Sequence, residues 1–472
     1  MAKQLWNKGR VALAGRCAVL ALGLMALWGC GNKGYQDIAA QQSAAANAAV
    51  TTTGAPAVID AATLKQWMDE GKVNAPLGTP DRVALVTVSS MKNYTTAGKK
   101  KLHIPGAGFF SADTELYATR EEGLGPVGSM VPTGAQMDTV VKKLGIDDKT
   151  TIVITIPKGS ADSDHYPQSR AYFTFRYWGF DRNRVKILNG GDDAWDVASA
   201  ANSTAYPALL KTDTVINPST YSVANNRAGL KDVLRYSLSE MIATVDALIA
   251  DSSLLNTWQM VEARGLATTP YITNALRTQD LNPKVWPAPA GATTGATHAL
   301  MFLEDRVNND FFRNRLYPDE TTLKTRMQSY NLKAGTADAL LSPSKKTIVM
   351  CGSAISASPS FVLFDAVLAV PEGQIMMYDG SSSQWNGYSA ARIAAANPTA
   401  TPAQINAWAF DSRIQGTMPT TGSLATLLTG FALYSPTNPL MNQIEKADRA
   451  YMNTSNGSGT TSSTVGSAGG GC

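Results

Sequence analysis

Histidine is the scarcest chemistry-bearing residue in this chain of 472: there are three, His103, His165 and His298. So few, so widely spaced, argue against a His-rich metal centre and against chemistry that depends on a His base. His103 belongs to a turn, His165 to a polar loop, and His298 follows a small-residue stretch; each reads as structural or solvated. Cysteine is nearly as rare, at four, and their placing offers no disulfide framework. Charge is sparse too, at 17% of residues. Lys3, Lys8, Arg10 and Arg16 all lie in the first sixteen residues with no acid before Asp37, and they equal the formal excess of +4. The remainder has no net charge to attract nucleic acid or an anionic membrane. No Gly-x-Gly-x-x-Gly or phosphate loop accompanies the early strands. No metal or cofactor is expected.

What is present begins with a targeting segment. Basic residues precede an apolar stretch from Cys17 to Trp28, the length of a signal h-region and too short to span a bilayer as a helix. Leu27-Trp28-Gly29-Cys30 has the form of a bacterial lipobox, which makes Cys30 the expected lipidation site and residues 1–29 the signal. An ordinary cleaved signal is the alternative. Gly31 after the cysteine fits sorting to the outer membrane, so the expectation is an exported protein, lipid-anchored and facing the periplasm. Residues 30–55, rich in Ala, Gln, Asn and Thr, read as a flexible tether.

The chain is organised around Thr347-Ile348-Val349-Met350-Cys351-Gly352-Ser353-Ala354-Ile355-Ser356-Ala357-Ser358. A short β-rich run bounded by Lys345-Lys346 and Gly352 predicts a buried parallel strand. The following Pro359 to Leu368 predicts a helix. A cysteine at the carboxyl end of such a strand sits where open α/β sheets bind ligands. Loop amides and a helix N-terminus beside it would favour a thiolate. The plain alternative is a buried, inert thiol.

Repetition decides the fold class. Gly190 to Trp195 and Gly380 to Trp385 have the same spacing, each after a short strand and an earlier strand–loop–helix unit. Strands are expected at Val83–Val88, Thr151–Ile156, Val185–Leu188 and Trp258–Arg264. Helices are expected from Asp60 to Met68, Ala135 to Leu144, Ser169 to Tyr177, and Glu240 to Ala250 with Ser239 as cap. The Asp192-Asp193 pair is read as helix capping. Alternating strands and helices predict two α/β domains with parallel sheets, at 56–208 and 233–437, joined by 209–232. Residues 438–472 read as a polar Gly/Ser-rich tail ending in Cys472, which is either an idle thiol or an attachment or relay thiol on a mobile arm.

Taken together, these motifs resemble the rhodanese superfamily, specifically its tandem-domain sulfurtransferases. The mercaptopyruvate-type active loop reads Cys-Gly-Ser-Gly-Val-Thr-Ala, and Cys351 to Ala357 follows it with Ala354, Ile355 and Ser356 substituted. Tyr378-Asp379-Gly380-Ser381 with Trp385, and His103-Ile104-Pro105-Gly106-Ala107, match two further family segments. The resemblance covers roughly residues 56–435. It implies a rhodanese-like fold in both halves, with catalysis in the second alone, because the first has Ile156-Pro157-Lys158 where the second has Cys351. It also implies Cys351 as nucleophile and persulfide carrier, with Gly352, Ser353, Ala354, Ile355, Ser356 and Ala357 as the substrate-binding loop. Arg264 and Arg277 are candidate substrate-binding cations, though the Gly-Arg-aromatic segment of the family and its second His-Ile-Pro-Gly-Ala turn are missing here. The implied reaction moves a sulfane sulfur from a 3-mercaptopyruvate-like donor or thiosulfate to a thiol or cyanide acceptor. Without Arg or Lys in the loop, a weakly charged donor is favoured. A phosphatase loop is disfavoured, since neither Ala357 nor Ser358 supplies a guanidinium.

The alternative class is a binding protein. Lipobox, tandem domains and glycine-cysteine tail together resemble rhodanese-like lipoproteins encoded with selenite and tellurite reduction systems. That likeness implies a non-catalytic or chalcogen-binding accessory.

Overall fold

Two parallel five-stranded sheets with one and the same strand order form the frame of the computed structural model. The structure describes residues 51–90, 102–122, 126–159, 165–211, 214–250, 252–263, 301–302, 316–333, 341–381, 383–385 and 442–454. In chain order the first half contains β1 (Val58–Ile59), α1 (Ala61–Asp69), β2 (Val83–Ser89), β3 (Gly108–Ser111), β4 (Ala118–Glu121), β5 (Pro126–Met130), α2 (Gly134–Lys143), β6 (Thr151–Thr155), α3 (His165–Tyr177), β7 (Val185–Leu188) and α4 (Gly191–Ala201). The second contains β8 (Arg235–Tyr236), α5 (Leu238–Ala250), β9 (Trp258–Glu262), β10 (Met301–Phe302), α6 (Glu320–Lys333), β11 (Lys346–Met350), α7 (Ser358–Val362), β12 (Ile375–Tyr378) and α8 (Gln443–Asn453). The first sheet runs β1-β7-β6-β2-β3 and the second β8-β12-β11-β9-β10. Ranked by chain position within its half, each reads first, fifth, fourth, second, third. β4 and β5 form a separate antiparallel ribbon. The expected α/β class with parallel sheets and flanking helices holds.

Local chemistry accounts for most elements. Asp60 caps α1 by accepting from the Thr63 N–H at 2.8 Å. Thr133 and Gln136 form a reciprocal capping box on α2. β2, β6 and β7 are buried along their whole length, as central parallel strands covered on both faces must be.

Four expectations differ in detail. Ser237, not Ser239, caps α5: its hydroxyl accepts from the Glu240 N–H at 3.4 Å, while Glu240 accepts from the Ser237 N–H at 2.8 Å. The helix after Cys351 is α-helical for five residues and then widens into a π-turn at Leu363–Val367. Asp192 and Asp193 do not cap α4, which starts from Gly190 at φ 76° without a side-chain cap. Asp192 is instead fully buried on the Thr155 hydroxyl, and Asp193 accepts the Gly159 N–H at 3.0 Å. Finally, Gln443–Asn453 of the expected polar tail is α8, with Ile444, Glu445, Asp448 and Met452 buried.

The halves meet through α3 and α7. Phe173 and Phe361 pack edge to face with ring centroids 5.0 Å apart. A polar clasp repeats on either side. Asp379 Oδ2 accepts the Val131 N–H at 3.0 Å, and Asn189 Oδ1 accepts the Tyr317 N–H at 2.9 Å. Val131 and Tyr317 stand in matching X-Pro turns that open α2 and α6. Helix α8 returns to the first half: Arg120 makes a two-pronged ion pair with Asp448, both contacts 2.7 Å, and the Tyr177 hydroxyl donates to the same carboxylate at 2.8 Å.

Candidate functional site

Cys351 follows directly on β11, between β9 and β12. Strands four, five and one of the half lie to one side of the β9/β11 boundary, and strands two and three to the other. That boundary is the switch point of the sheet, where parallel chains diverge and leave a crevice at their carboxyl ends. The thiol is buried, at 1% exposure, while Gly352, Ser353, Ile355 and Ser356 are partly exposed above it.

The loop is held from below and from one side. The Cys351 N–H donates to Ser381 Oγ at 3.2 Å, and Ser381 donates to the Tyr378 carbonyl at 2.9 Å. The Ser383 N–H donates to the Gly352 carbonyl at 3.0 Å. Ser358 Oγ donates to the Ala354 carbonyl at 2.9 Å, and the Ser358 N–H to the Ile355 carbonyl at 3.2 Å. The last three of these bonds spend loop carbonyls. The N–H groups of Gly352, Ser353, Ala354, Ile355, Ser356 and Ala357 meet no acceptor among the described residues. Six successive unspent donors after a thiol form a concentration of positive partial charge suited to an anion. Ala354 makes the curl possible by adopting φ 58°, a left-handed conformation that an L side chain resists.

Behind the loop lies a buried ionic cluster. Arg170 of α3 and Arg235 of β8 both reach Asp379, and all three are fully buried. Arg235 also holds Glu122 at 3.0 Å and Glu445 at 3.2 Å. Despite the cost of burial, the two guanidinium groups keep Asp379 below the usual carboxylate range. Burial dominates at Glu445, whose pKa is pushed up to about 8. Two cations facing three carboxylates leave one carboxyl without a full partner, and Glu445 is that one. Arg170 also reaches towards the loop: its Nη1 lies 3.8 Å from Met377 Sδ, which in turn accepts from Ser358 Oγ at 3.9 Å.

The structure therefore brings together Cys351 and the whole loop from Gly352 to Ala357. Arg264, Arg277, Cys30, Cys472 and His298 lie outside the described residues. His103 is buried and paired with Leu210 through backbone hydrogen bonds, and His165 is the buried first residue of α3 rather than part of a loop. Sequence reasoning assigned no role to Arg170, Arg235 or Tyr117. Tyr117 lies within electrostatic reach of the Cys351 thiol and the Arg170 guanidinium. Asp379 and Ser381 carried a signal, through their place in the Tyr-Asp-Gly-Ser segment. Among the described residues no group of three or more His, Cys, Asp or Glu is placed to hold a metal.

Fold and site together define a parallel α/β protein with a cysteine at the sheet's switch point. No family model matches the chain. Over 96 residues it is 34% identical to the Caenorhabditis elegans protein mpst-4, named as a thiosulfate sulfurtransferase. That stretch is 20% of this chain and 31% of the relative, so the match spans about a third of the relative's length. Among solved structures it is similar to Tum1 of Saccharomyces cerevisiae, at 16% identity, 70% of this chain, 95% of that one and a TM-score of 0.47. The sulfur transferase subunit of yeast mitochondrial complex I is similar at 20% identity, with the same coverages and a TM-score of 0.45.

Proposed function

We propose that this protein is a sulfurtransferase that carries a sulfane sulfur on Cys351. One observation carries the reading: a thiol at the sheet's switch point is followed by six backbone N–H groups with no acceptor among the described residues. The Cys351 thiolate would attack the outer sulfur of a donor. An S–S bond forms, and the donor's leaving group departs with the electron pair of the broken bond. The resulting persulfide anion would rest against the loop amides until cyanide or a thiol removes its outer sulfur. The relatedness to a named sulfurtransferase over 96 residues supports the same class.

Incubation with 3-mercaptopyruvate or thiosulfate, followed by intact-mass and peptide mass spectrometry, tests the proposal. One added sulfur on Cys351, discharged by cyanide and absent from Cys351→Ser, is the expected result. A wild-type chain that gains no sulfur and matches Cys351→Ser with every donor sinks the enzymatic reading and leaves the chalcogen-binding role. Export and lipid attachment at Cys30 belong to the same proposal. Cys30→Ser should shift the protein from the membrane to the soluble fraction of an expressing bacterium, and unchanged membrane association would contradict it.

A further inference from the structure

Ser381 and Ser383 hold the backbone of the loop that Cys351 opens, at the Cys351 N–H and at the Gly352 carbonyl. The residues around these two serines are in turn held by the other half of the chain. The Val131 N–H and Arg170 Nη2 both donate to Asp379, two positions before Ser381. Glu122, which follows β4, accepts from Gln384 Nε2 at 3.1 Å through its carboxylate and at 3.4 Å through its carbonyl, one position after Ser383. Arg170 has further holds. Its Nη2 also donates to the Ser129 carbonyl at 3.0 Å, and its Nη1 lies 3.8 Å from Met377 Sδ. Met377 Sδ is 3.9 Å from Ser358 Oγ, the hydroxyl that bonds the Ala354 carbonyl at 2.9 Å. The guanidinium therefore bears on the loop at two places: on Cys351 through Asp379-Gly380-Ser381, and on Ala354 through Met377 and Ser358. Arg170, Met377, Asp379, Ser381 and Ser358 are all fully buried, so no solvent competes for these contacts.

Resting on the sulfur-carrier reading of Cys351, we infer that Arg170 is the positioning residue of the site, by which the half without a nucleophile sets the curl of the loop in the half that has one. The run of loop N–H groups keeps one alignment only while its Cys351 end and its left-handed Ala354 are both fixed. An L residue persists at φ 58° only where its surroundings over-determine it. An arginine does this where a lysine cannot. Both carry the charge that Asp379 requires, but only the rigid fork reaches Asp379, the Ser129 carbonyl and Met377 from one side chain. Arg176 supplies the contrast. It lies on the same helix, is as deeply buried, and bonds Asp365, Glu372 and the Phe180 carbonyl. None of those partners belongs to the loop or to the stretch beneath it.

The test compares Arg170→Lys with Arg176→Lys in the full chain. The reading is the rate at which iodoacetamide alkylates Cys351 at neutral pH, followed by peptide mass spectrometry. Arg170→Lys should slow alkylation by about tenfold or more, the order of loss that a small misplacement of reacting groups brings. A fold that is merely loosened acts in the opposite direction, because it exposes a buried thiol and speeds its alkylation. Arg176→Lys should not slow the reaction. Single-turnover sulfur loading of Cys351 should fall in Arg170→Lys by the same factor as alkylation. An Arg170→Lys rate equal to or above that of the wild type overturns the inference, as does an equal slowing in Arg176→Lys. Should Arg170→Lys not fold, Met377→Leu carries the test. It keeps the packing and the Asp379 ion pairs while severing the arm to Ser358, and an unchanged alkylation rate in it overturns the inference. A wild-type chain that takes up no sulfur is the separate failure of the sulfur-carrier reading, and alkylation still decides whether Arg170 positions the thiol.

Discussion

Ala354 holds φ at 58° in the middle of the loop that follows Cys351, and its side chain is fully buried. The left-handed region costs an L residue roughly 1–2 kcal/mol, because Cβ crowds the following carbonyl. The mercaptopyruvate-type loop has Gly at this place, where the conformation is free. Ala354→Gly should therefore stabilise the protein. The gain should be about 0.5–1 kcal/mol, because the greater unfolded-state freedom of Gly offsets part of the relieved strain. Urea unfolding measures it, and a loss of stability would show that the buried methyl group matters more than the backbone angle. Ser381 also has positive φ, at 49°. The two strained residues flank the same thiol, as is common where a site over-determines its backbone.

Among the elements, α8 is the one whose place is least evident from its composition. It lies beyond the second sheet in the chain yet completes the first half, through Ile444 and Met452 in the core and Asp448 on Arg120 and Tyr177. Glu445 ties it to Arg235 and carries a pH signature. Its folded pKa of about 8 lies above the ordinary 4.5, chiefly through desolvation. A carboxyl that holds its proton more tightly when folded contributes fully below the unfolded pKa. That contribution is lost as pH rises from about 4.5 to about 8. Thermal unfolding of the wild type should thus weaken across this window. Glu445→Gln, neutral at every pH, should flatten that part of the profile and raise the melting temperature above pH 8. Parallel profiles for the two proteins would mean that Glu445 ionises normally.

For the whole molecule, the decisive contacts join the two repeats rather than stabilise either alone. Asp379 accepts from Val131, Arg170 and Arg235 at once. Removing one partner of a buried ion pair leaves the other charge without compensation, at roughly 3–5 kcal/mol. Asp379→Ala should destabilise the protein by that order, leave the fully buried Arg170 guanidinium without its carboxylate, and lower unfolding cooperativity between the halves. A denaturation midpoint within experimental error of wild type would refute this account of the clasp. Asp365 plays a parallel part in the π-turn after α7, accepting from Arg176 and Tyr172 of α3 at 2.9 and 2.7 Å.

Period, turn chemistry and repeat spacing were enough to read the class of fold, the parallel strands and the thiol at a strand end. These are local properties: a run such as Thr347 to Met350 is buried on both faces wherever it sits, and Asp60 caps a helix with its own neighbours. The Gly190–Trp195 and Gly380–Trp385 spacing likewise carried the duplication without any knowledge of contacts. Arg170, Arg235, Glu445 and Tyr117 had no such signal, because an isolated Arg, Glu or Tyr looks the same in a solvated face as in a buried one. Their partners stand far off in the chain, Asp379 209 positions after Arg170 and Glu445 210 positions after Arg235. Only packing of the halves against each other brought those charges out of water. Electrostatic energy in a low-dielectric interior depends on that distance and not on separation along the chain.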